Sequence, residues 1–377
     1  VEVQAPYGYV LDSTPVSFDV TEENSTQEGG ITLIKVDKPN MAQKGTISVE
    51  KTGEVFFGVN VFGEKDKDVI YQPVYDVKGL AGAVCEMTAD EDVITPDGTL
   101  GYHKGDVVDT VTTDEDGTAK SKELYLGKYT VVETKAPTGM VINKEKHSVE
   151  LTYAGQDVAV TETATSFVNE RQKVKISLEK NLEQDEIFGI GKNNEIKNIS
   201  FGLYAKEDVV SSSGTVIPAD GLIEIITLDE NGAATANTDL PFGSYYVKEI
   251  ATDEHYILSD TQYPFTFEYA GQDTETVESK VNDGKPIENK LIYGSVSGKK
   301  IDENGEALGG ALIGIFKADE TEFTKEHSIM TATSEKDGSF SFAKVPYGKW
   351  IVREIEAPEG FVLDDTSYEV NIGENEQ

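Results

Sequence analysis

Cysteine is almost absent from this 377-residue chain, which contains Cys85 alone. No disulfide can therefore form within the chain, which fits either a cytosolic protein or an exported one with another covalent staple. No stretch approaches the ~20 apolar residues that cross a membrane, and Val1 does not open a signal peptide. We therefore expect a fragment of a longer chain.

Basic residues are also scarce, since 33 Lys and Arg oppose 69 Asp and Glu and the net charge is −36. A field of that sign repels nucleic acid and anionic membrane surfaces, so neither is an expected partner.

Motifs for turnover, cofactors or metals are missing as well. The histidines have no paired ligand spacing, and the Asp-rich turns lack the terminal Glu of a calcium loop. Cys85 follows the apolar run 81–84 with no nearby His. A buried structural cysteine is thus favoured over a thioester or nucleophile. The sequence predicts no cofactor, no metal site and no enzyme.

What the chain does contain is strand-and-turn composition. Hydrophobic residues form 38% and aromatic residues 9% of the chain, in short runs broken by Gly, Asn and Asp. This predicts an all-β protein with packed cores, too long for one small domain.

Internal repeats organise the chain. A Glu-x-x-Ala-Pro-x-Gly pattern begins at Glu2, Glu133 and Glu354, and the copy at Glu249 keeps an Ala but loses the Pro and Gly. An aromatic residue and a Val precede each of the three later Glu residues by four and two positions. Strand alternation puts all three side chains on one face, so the Glu is predicted to point into the core. The segment Tyr-Ala-Gly-Gln-Asp occurs at 153–157 and 269–273, twenty residues after its Glu.

A lysine on an apolar strand face opens each repeat. Lys51, Lys180 and Lys300 each follow two alternating positions, which are apolar in the first two repeats, and each lies eleven residues after an Asn. The three Asn residues are Asn40, Asn169 and Asn289. One Asn therefore closes a module and the next Lys opens its successor.

These spacings predict complete modules at 45–172 and 173–292. Residues 1–44 are the last part of a preceding module, with Glu2 and Asn40 but no first strand. Residues 293–377 hold Lys300 and Glu354 and lack a last strand, and strand phase favours Lys300 over Lys299. Residues 52–78 read as an inserted hairpin, by default an added edge strand.

Three polar residues pointing into an apolar core require a chemical explanation. Burial disfavours charge, so it lowers a Lys pKa and raises a Glu pKa. A neutral Lys amine is a nucleophile, and a protonated Glu can polarise the Asn carbonyl or carry the amine proton to the leaving group. The product is a Lys–Asn amide plus ammonia. Snorkelling lysines with ordinary ion pairs are the alternative, but the recurrence of all three residue types in phase favours the crosslink.

The combination of first-strand Lys, Glu-x-x-Ala-Pro-x-Gly and last-strand Asn resembles the SpaA-type, or Cna protein B-type, prealbumin-like domains of Gram-positive surface proteins and pilins. The resemblance implies a tandem array of immunoglobulin-like or prealbumin-like β-sandwich modules, with first and last strands adjacent and joined by an isopeptide bond. It assigns the crosslinks Lys51–Asn169 and Lys180–Asn289, promoted by Glu133 and Glu249. Lys300, Glu354, Glu2 and Asn40 match the motif in incomplete modules.

The function that this resemblance implies is a structural stalk of an extracellular, cell-wall-anchored adhesin or pilin-like protein. Its partners would be the neighbouring modules of the same chain. The second hypothesis is a ligand-binding module that recognises a host matrix protein, glycoprotein or glycan. An accessory domain of a secreted enzyme is disfavoured, because no catalytic residues are found.

Overall fold

The all-β prediction is confirmed by the computed structural model, which describes residues 1–63 and 69–373. Strands alternate core and solvent positions along three successive two-sheet sandwiches, here called the first (44–169), second (173–289) and third (293–372) sandwich. The preceding residues, here called the N-terminal segment (1–42), carry a small exposed hairpin. Its strands are β1 (Thr26–Glu28) and β2 (Ile31–Leu33).

The first sandwich packs a sheet built on a long first strand against a four-stranded antiparallel sheet. Its strands are β3 (Lys44–Phe62), β4 (Ile70–Gly79), β5 (Val84–Ala89), β6 (Val93–Ile94), β7 (Leu100–Tyr102), β8 (Val107–Thr112), β9 (Thr118–Lys120), β10 (Leu124–Tyr125), β11 (Gly127–Lys135), β12 (Lys146–Leu151) and β13 (Val160–Asn169). The four-stranded sheet has the order β12-β11-β5-β8, whereas β13 runs parallel to β3. Side chains of both sheets form one core, which includes Ile47, Val49, Tyr129 and Val131.

The second sandwich repeats this plan. Its strands are β14 (Lys173–Leu182), β15 (Ser200–Ala205), β16 (Val209–Val210), β17 (Val216–Ile217), β18 (Leu222–Thr227), β19 (Ala233–Thr235), β20 (Gly243–Ala251), β21 (Gln262–Phe267), β22 (Thr276–Lys280) and β23 (Ile287–Asn289), with 3-10 turns at Glu195–Asn198 and Val281–Gly284. The first strand, β14, pairs in parallel with β22 and then β23.

The third sandwich has fewer strands among the described residues. They are β24 (Tyr293–Lys299), β25 (Leu312–Lys317), β26 (Met330–Thr333), β27 (Ser339–Pro346), β28 (Gly348–Glu356) and β29 (Ser367–Ile372). Here β24 pairs with β27, and the facing sheet has the order β26-β25-β28-β29.

In the first and second sandwiches, the segment that follows the lysine of the first strand extends into the next sandwich. β3 continues past Lys51 and forms a hairpin with β4, and Phe56, Val59 and Tyr71 of this hairpin pack on the core of the second sandwich. The hairpin thus bridges two sandwiches, where the sequence indicated an added edge strand. Residues 64–68, between β3 and β4 in the sequence, lie outside the described residues.

The second joint is built in a corresponding way. Phe188 and Ile190, from the segment that follows β14, belong to the core of the third sandwich. The Phe188 ring meets the Trp350 ring edge-on, with centroids 4.8 Å apart.

Candidate functional site: a buried Lys–Glu–Asn cluster in each complete sandwich

The first strand and the last strand place the lysine and asparagine side by side. In the first sandwich Lys51 lies opposite Phe167 on the parallel neighbour, and Asn169 is two residues further on. In the second sandwich Lys180 lies opposite Ile287, two residues before Asn289. Because side chains alternate with a period of two, lysine and asparagine share the inner face in both.

The glutamate approaches from the facing sheet, in phase with its aromatic and valine neighbours. Tyr129, Val131 and Glu133 are all buried on β11, and Tyr245, Val247 and Glu249 are buried on β20. The Lys side chain is 0% exposed in both pairs, and the two Glu side chains are at most 1% exposed.

In the first sandwich the three side chains meet around Glu133. Lys51 Nζ lies 3.1 Å from Glu133 Oε1. The Asn169 amide nitrogen donates to Glu133 Oε2 at 2.9 Å and to the Val141 carbonyl at 2.7 Å. Lys51 Nζ, Glu133 Oε1 and Asn169 Oδ1 are buried without a well-aligned hydrogen bond. Such a site is costly while the groups stay charged and separate.

In the second sandwich the contacts around Glu249 are complete. Lys180 Nζ donates to Asn289 Oδ1 at 2.5 Å and lies 3.0 Å from Glu249 Oε1. The Asn289 amide nitrogen donates to both Glu249 oxygens at 2.9 Å and to Thr252 Oγ1 at 2.9 Å. The lysine and the Asn289 amide nitrogen therefore contact the same carboxylate.

Burial lowers the pKa of Lys51 and of Lys180, and the adjacent glutamate opposes this shift in each case. The apolar surroundings include an aromatic ring near each ammonium. Lys51 Nζ is 4.7 Å from the Phe167 ring centroid, and Lys180 Nζ is 5.7 Å from that of Phe201. Because desolvation is the largest influence on both lysines, these sites favour the neutral amine more than water does.

The two partial sets of Lys, Glu and Asn also bring their available side chains into contact. Asn40 donates to both oxygens of Glu2, at 2.9 and 2.8 Å, and both side chains are half-buried. Lys300 Nζ lies 3.2 Å from Glu354 Oε2 and 3.8 Å from Asp364, whereas Lys299 is exposed.

Sequence reasoning missed a donor that every copy shares. The backbone N–H ten residues after each Glu donates to its Oε2, at 2.6–3.0 Å. These residues are Asp12, Asn143, Ser259 and Asp364, and each side chain accepts a bond from the backbone two residues on. A small polar residue at this offset was the signal available in the sequence.

Sequence reasoning also missed Thr252. The Ala that was matched near Glu249 is Ala251, one position earlier than in the other copies. Thr252 occupies the position of Ala136, and its hydroxyl accepts from Asn289 in place of the loop carbonyl used in the first sandwich.

Cys85 is free and buried beside this cluster, with its backbone opposite Glu133. Burial raises the pKa of its thiol to about 11. Over the described ranges, no group of three or more His, Cys, Asp or Glu side chains could hold a metal. No helix in those ranges is long and apolar enough to cross a membrane.

The fold and the repeated inward Lys and Glu define an array of two-sheet β-sandwich modules with a buried polar cluster. The family model for the SpaA prealbumin-like fold domain matches residues 74–165, 189–284 and 294–377. The chain belongs to this family, as its resemblance indicated.

Several solved structures match this chain at low sequence identity. The Bacillus anthracis TIE protein is 20% identical with a TM-score of 0.58, and the match covers 92% of this chain and 52% of that one. This chain therefore spans about half the length of that relative. The major pilin BcpA of Bacillus cereus is 15% identical (TM-score 0.35; 88% and 96% covered). The major pilin SpaD of Corynebacterium diphtheriae is 15% identical (TM-score 0.25; 88% and 92% covered). A search of curated proteins found no significant match.

Proposed function

We propose that this chain is a stalk segment of a Gram-positive cell-surface adhesin or pilin-like protein, and that Lys51–Asn169 and Lys180–Asn289 isopeptide bonds lock its two complete modules. The observation that carries the proposal is the buried Lys–Glu–Asn cluster on adjacent parallel first and last strands, present twice. The modules would be 45–172 and 173–292, flanked by the partial modules 1–44 and 293–377.

The reaction joins Lys Nζ to Asn Cγ and breaks the bond from Cγ to Nδ2. The glutamate first takes a proton from the ammonium, and the neutral amine then attacks. The lysine started with three protons. One stays on the new amide nitrogen, one completes the departing ammonia and one remains on the glutamate. Atoms and charge therefore balance without an added reactant, and the glutamate acts once rather than turning over.

The contacts favour the glutamate as a proton shuttle between Lys and the leaving nitrogen. Asn169 and Asn289 both direct Nδ2 toward the carboxylate, and Asn289 directs Oδ1 toward the lysine. A glutamate that polarised the carbonyl would instead contact Oδ1. The product removes the buried charges, which is the energetic reason for the reaction to proceed.

A stalk must carry tension along its length, and the crosslinks lie on that path. Lys and Asn stand near the entry and exit of each module, so pulling would load the covalent bond rather than the sheet hydrogen bonds. The loop from 51 to 169 spans 169 − 51 = 118 residues and the loop from 180 to 289 spans 109. Each crosslink would prevent roughly 400 Å of chain from extending under tension.

Single-molecule pulling on the two ends of the chain tests this proposal. The wild-type chain should show no extension step from either complete module. Glu133→Ala should release a step of roughly 400 Å from the first module alone. A full-length extension step from both modules of the wild-type chain would contradict the proposed stalk mechanism.

A further inference from the structure

The repeated Tyr-Ala-Gly-Gln-Asp segments, here called the clasp loops (153–157 and 269–273), have no part in the Lys–Glu–Asn cluster of their own sandwich. Each lies between the last two long strands and faces the preceding part of the chain. The glutamine of each clasp loop forms hydrogen bonds with the preceding part of the chain.

Gln272 of the second sandwich holds two points of the first. Its side-chain Oε1 accepts from the backbone N–H of Ala136, and its backbone carbonyl accepts from the N–H of Ile142, both at 2.9 Å. Tyr269 adds a bond from its hydroxyl to the Met140 carbonyl at 3.1 Å.

Those two points bracket the segment that builds the first crosslink site, here called the reaction loop (133–143). Ile142 stands between Val141, whose carbonyl accepts from Asn169, and Asn143, whose N–H donates to Glu133. Ala136 is three residues after Glu133. One residue of the second sandwich therefore fixes both arms of the loop that orients Glu133 and Asn169.

The same clasp occurs one joint earlier. Gln156 Oε1 accepts from the N–H of Ala5 at 2.8 Å, and the Gln156 carbonyl accepts from the N–H of Leu11 at 2.9 Å. Ala5 and Leu11 hold the same positions relative to Glu2 that Ala136 and Ile142 hold relative to Glu133. Because the same glutamine contacts occur at two joints, they are a recurring structural feature of the array.

A buried glutamine in each of the two linkers before these sandwiches forms hydrogen bonds with the clasp loop. Gln172, 0% exposed, donates to the carbonyls of Gly271 and Thr274 at 3.1 and 2.7 Å and accepts from the N–H of Ala270 at 2.8 Å. Its own N–H donates to the carbonyl of Gly139 in the reaction loop at 3.0 Å. Gln43 makes the corresponding contacts at the earlier joint.

We propose that Gln272 is a positioning residue for the crosslink of the preceding module, so that Lys51 and Asn169 react quickly only after the second module has folded against the first. This inference rests on the proposed function. Because the chain is made from its N-terminus, the first crosslink site would be completed only after the second module has been synthesised.

The second sandwich offers an internal control, because the contacts of Gln272 described above are with the reaction loop of the first sandwich. Ile292 stands where Gln43 and Gln172 stand at the other joints, so the side-chain clamp is absent there. Thr252 of the same sandwich supplies the extra acceptor for Asn289. The Lys180–Asn289 reaction should therefore be independent of Gln272.

The test follows both bonds in the full chain during cell-free synthesis, with acid quenching at intervals and quantification of the crosslinked peptides by mass spectrometry. Gln272→Ala should slow formation of Lys51–Asn169 about fivefold, as expected for loss of one neutral hydrogen bond, and leave Lys180–Asn289 unchanged. Gln272→Glu, which keeps the acceptor oxygen, should restore the wild-type rate. Gln156→Ala is the matched control at the other joint and should change neither bond.

Equal rates of Lys51–Asn169 formation in the wild-type chain and in Gln272→Ala would overturn the inference. Equal slowing of both bonds would also overturn it, because that result indicates a general folding defect. So would a failure of Gln272→Glu to restore the rate. Absence of both crosslinks from the wild-type chain would instead refute the proposed function, and this inference with it.

Discussion

Lys51 and Lys180 are fully buried lysines, and burial lowers the pKa of both. In the proposed reaction the neutral amine attacks, and a lowered pKa makes that form available at lower pH. Around Lys51, the Glu133 carboxylate opposes the shift, while the Cys85 thiol stays neutral because burial raises its pKa to about 11. The buried core therefore favours the neutral amine, and the adjacent glutamate takes the proton that the lysine loses.

The pH dependence of crosslinking follows from this shift. As pH rises through the lowered lysine pKa, the neutral fraction grows, so the rate should increase and then level off below about pH 10.5, the usual lysine value. The measurement is the formation half-time of both crosslinked peptides against pH after cell-free synthesis. A rate that kept rising up to that pH would show that the buried lysines titrate normally.

Thr252 should matter only in the second sandwich. Thr252→Ala removes the hydroxyl that accepts from Asn289 and should slow Lys180–Asn289 formation about fivefold, the effect of one hydrogen bond. Thr252→Ser keeps the hydroxyl and should react at the wild-type rate. The Lys51–Asn169 bond, measured in the same sample, serves as the control. If Thr252→Ala reacts as fast as Thr252→Ser, the hydroxyl has no role in positioning.

At the scale of single residues, the sequence predicted which side chains meet but not which backbone groups orient them. Phase with apolar neighbours was enough to place Lys51 and Glu133 in the core, because strand alternation is a local property. The N–H of Asn143 that holds Glu133 belongs to a loop, and any residue but proline supplies an N–H. The small polar residue at that offset is a weak signal, noticeable only across four copies.

At the scale of secondary-structure elements, the hairpin of β3 and β4 shows what could not be predicted from the sequence. Residues 52–78 predicted a hairpin, but the surface that its apolar side chains cover is set by the module that follows. The backbone of Phe56 and Phe57 accepts from Ser212 and Ser213 of the second sandwich at 3.0 and 3.1 Å. The hairpin therefore joins the two sandwiches through backbone hydrogen bonds as well as apolar contacts.

Arg171 completes this joint. Its guanidinium lies 3.7 Å from the centroid of the Tyr75 ring and forms a two-pronged ion pair with Asp239. Arg171→Ala should loosen the hairpin from the second sandwich, since a hydrogen bond to a charged group contributes about 1.5–3 kcal/mol. Amide exchange at Ser212 and Ser213 should become at least about tenfold faster.

The matched control is Arg353→Ala, which removes a similar stack on Phe323 within the third sandwich. That variant should leave exchange at Ser212 and Ser213 unchanged. If Arg171→Ala also leaves it unchanged, the backbone hydrogen bonds and apolar contacts hold the hairpin without Arg171.

For the whole molecule, covalent closure should dominate the stability of the complete modules. Closing a loop near 100 residues stabilises by roughly 4.7 kcal/mol in the chain-entropy model. Glu133→Ala should therefore lower the unfolding midpoint of the first module well below that of the wild type in calorimetry. Glu354→Ala, which removes an ion pair but no predicted crosslink, is the control and should have a much smaller effect. Similar losses in both variants would attribute the stability to the glutamate contacts.

The central claim is that each complete module crosslinks itself and that the partial ones do not, and the intact mass of the purified, folded chain tests it most directly. Each bond releases one ammonia, so the chain should be lighter than its sequence mass by about 34 Da. Glu133→Ala and Glu249→Ala should each form one bond fewer, so each variant should be lighter than its own sequence mass by only about 17 Da. A folded wild-type chain with its full sequence mass would contradict the account.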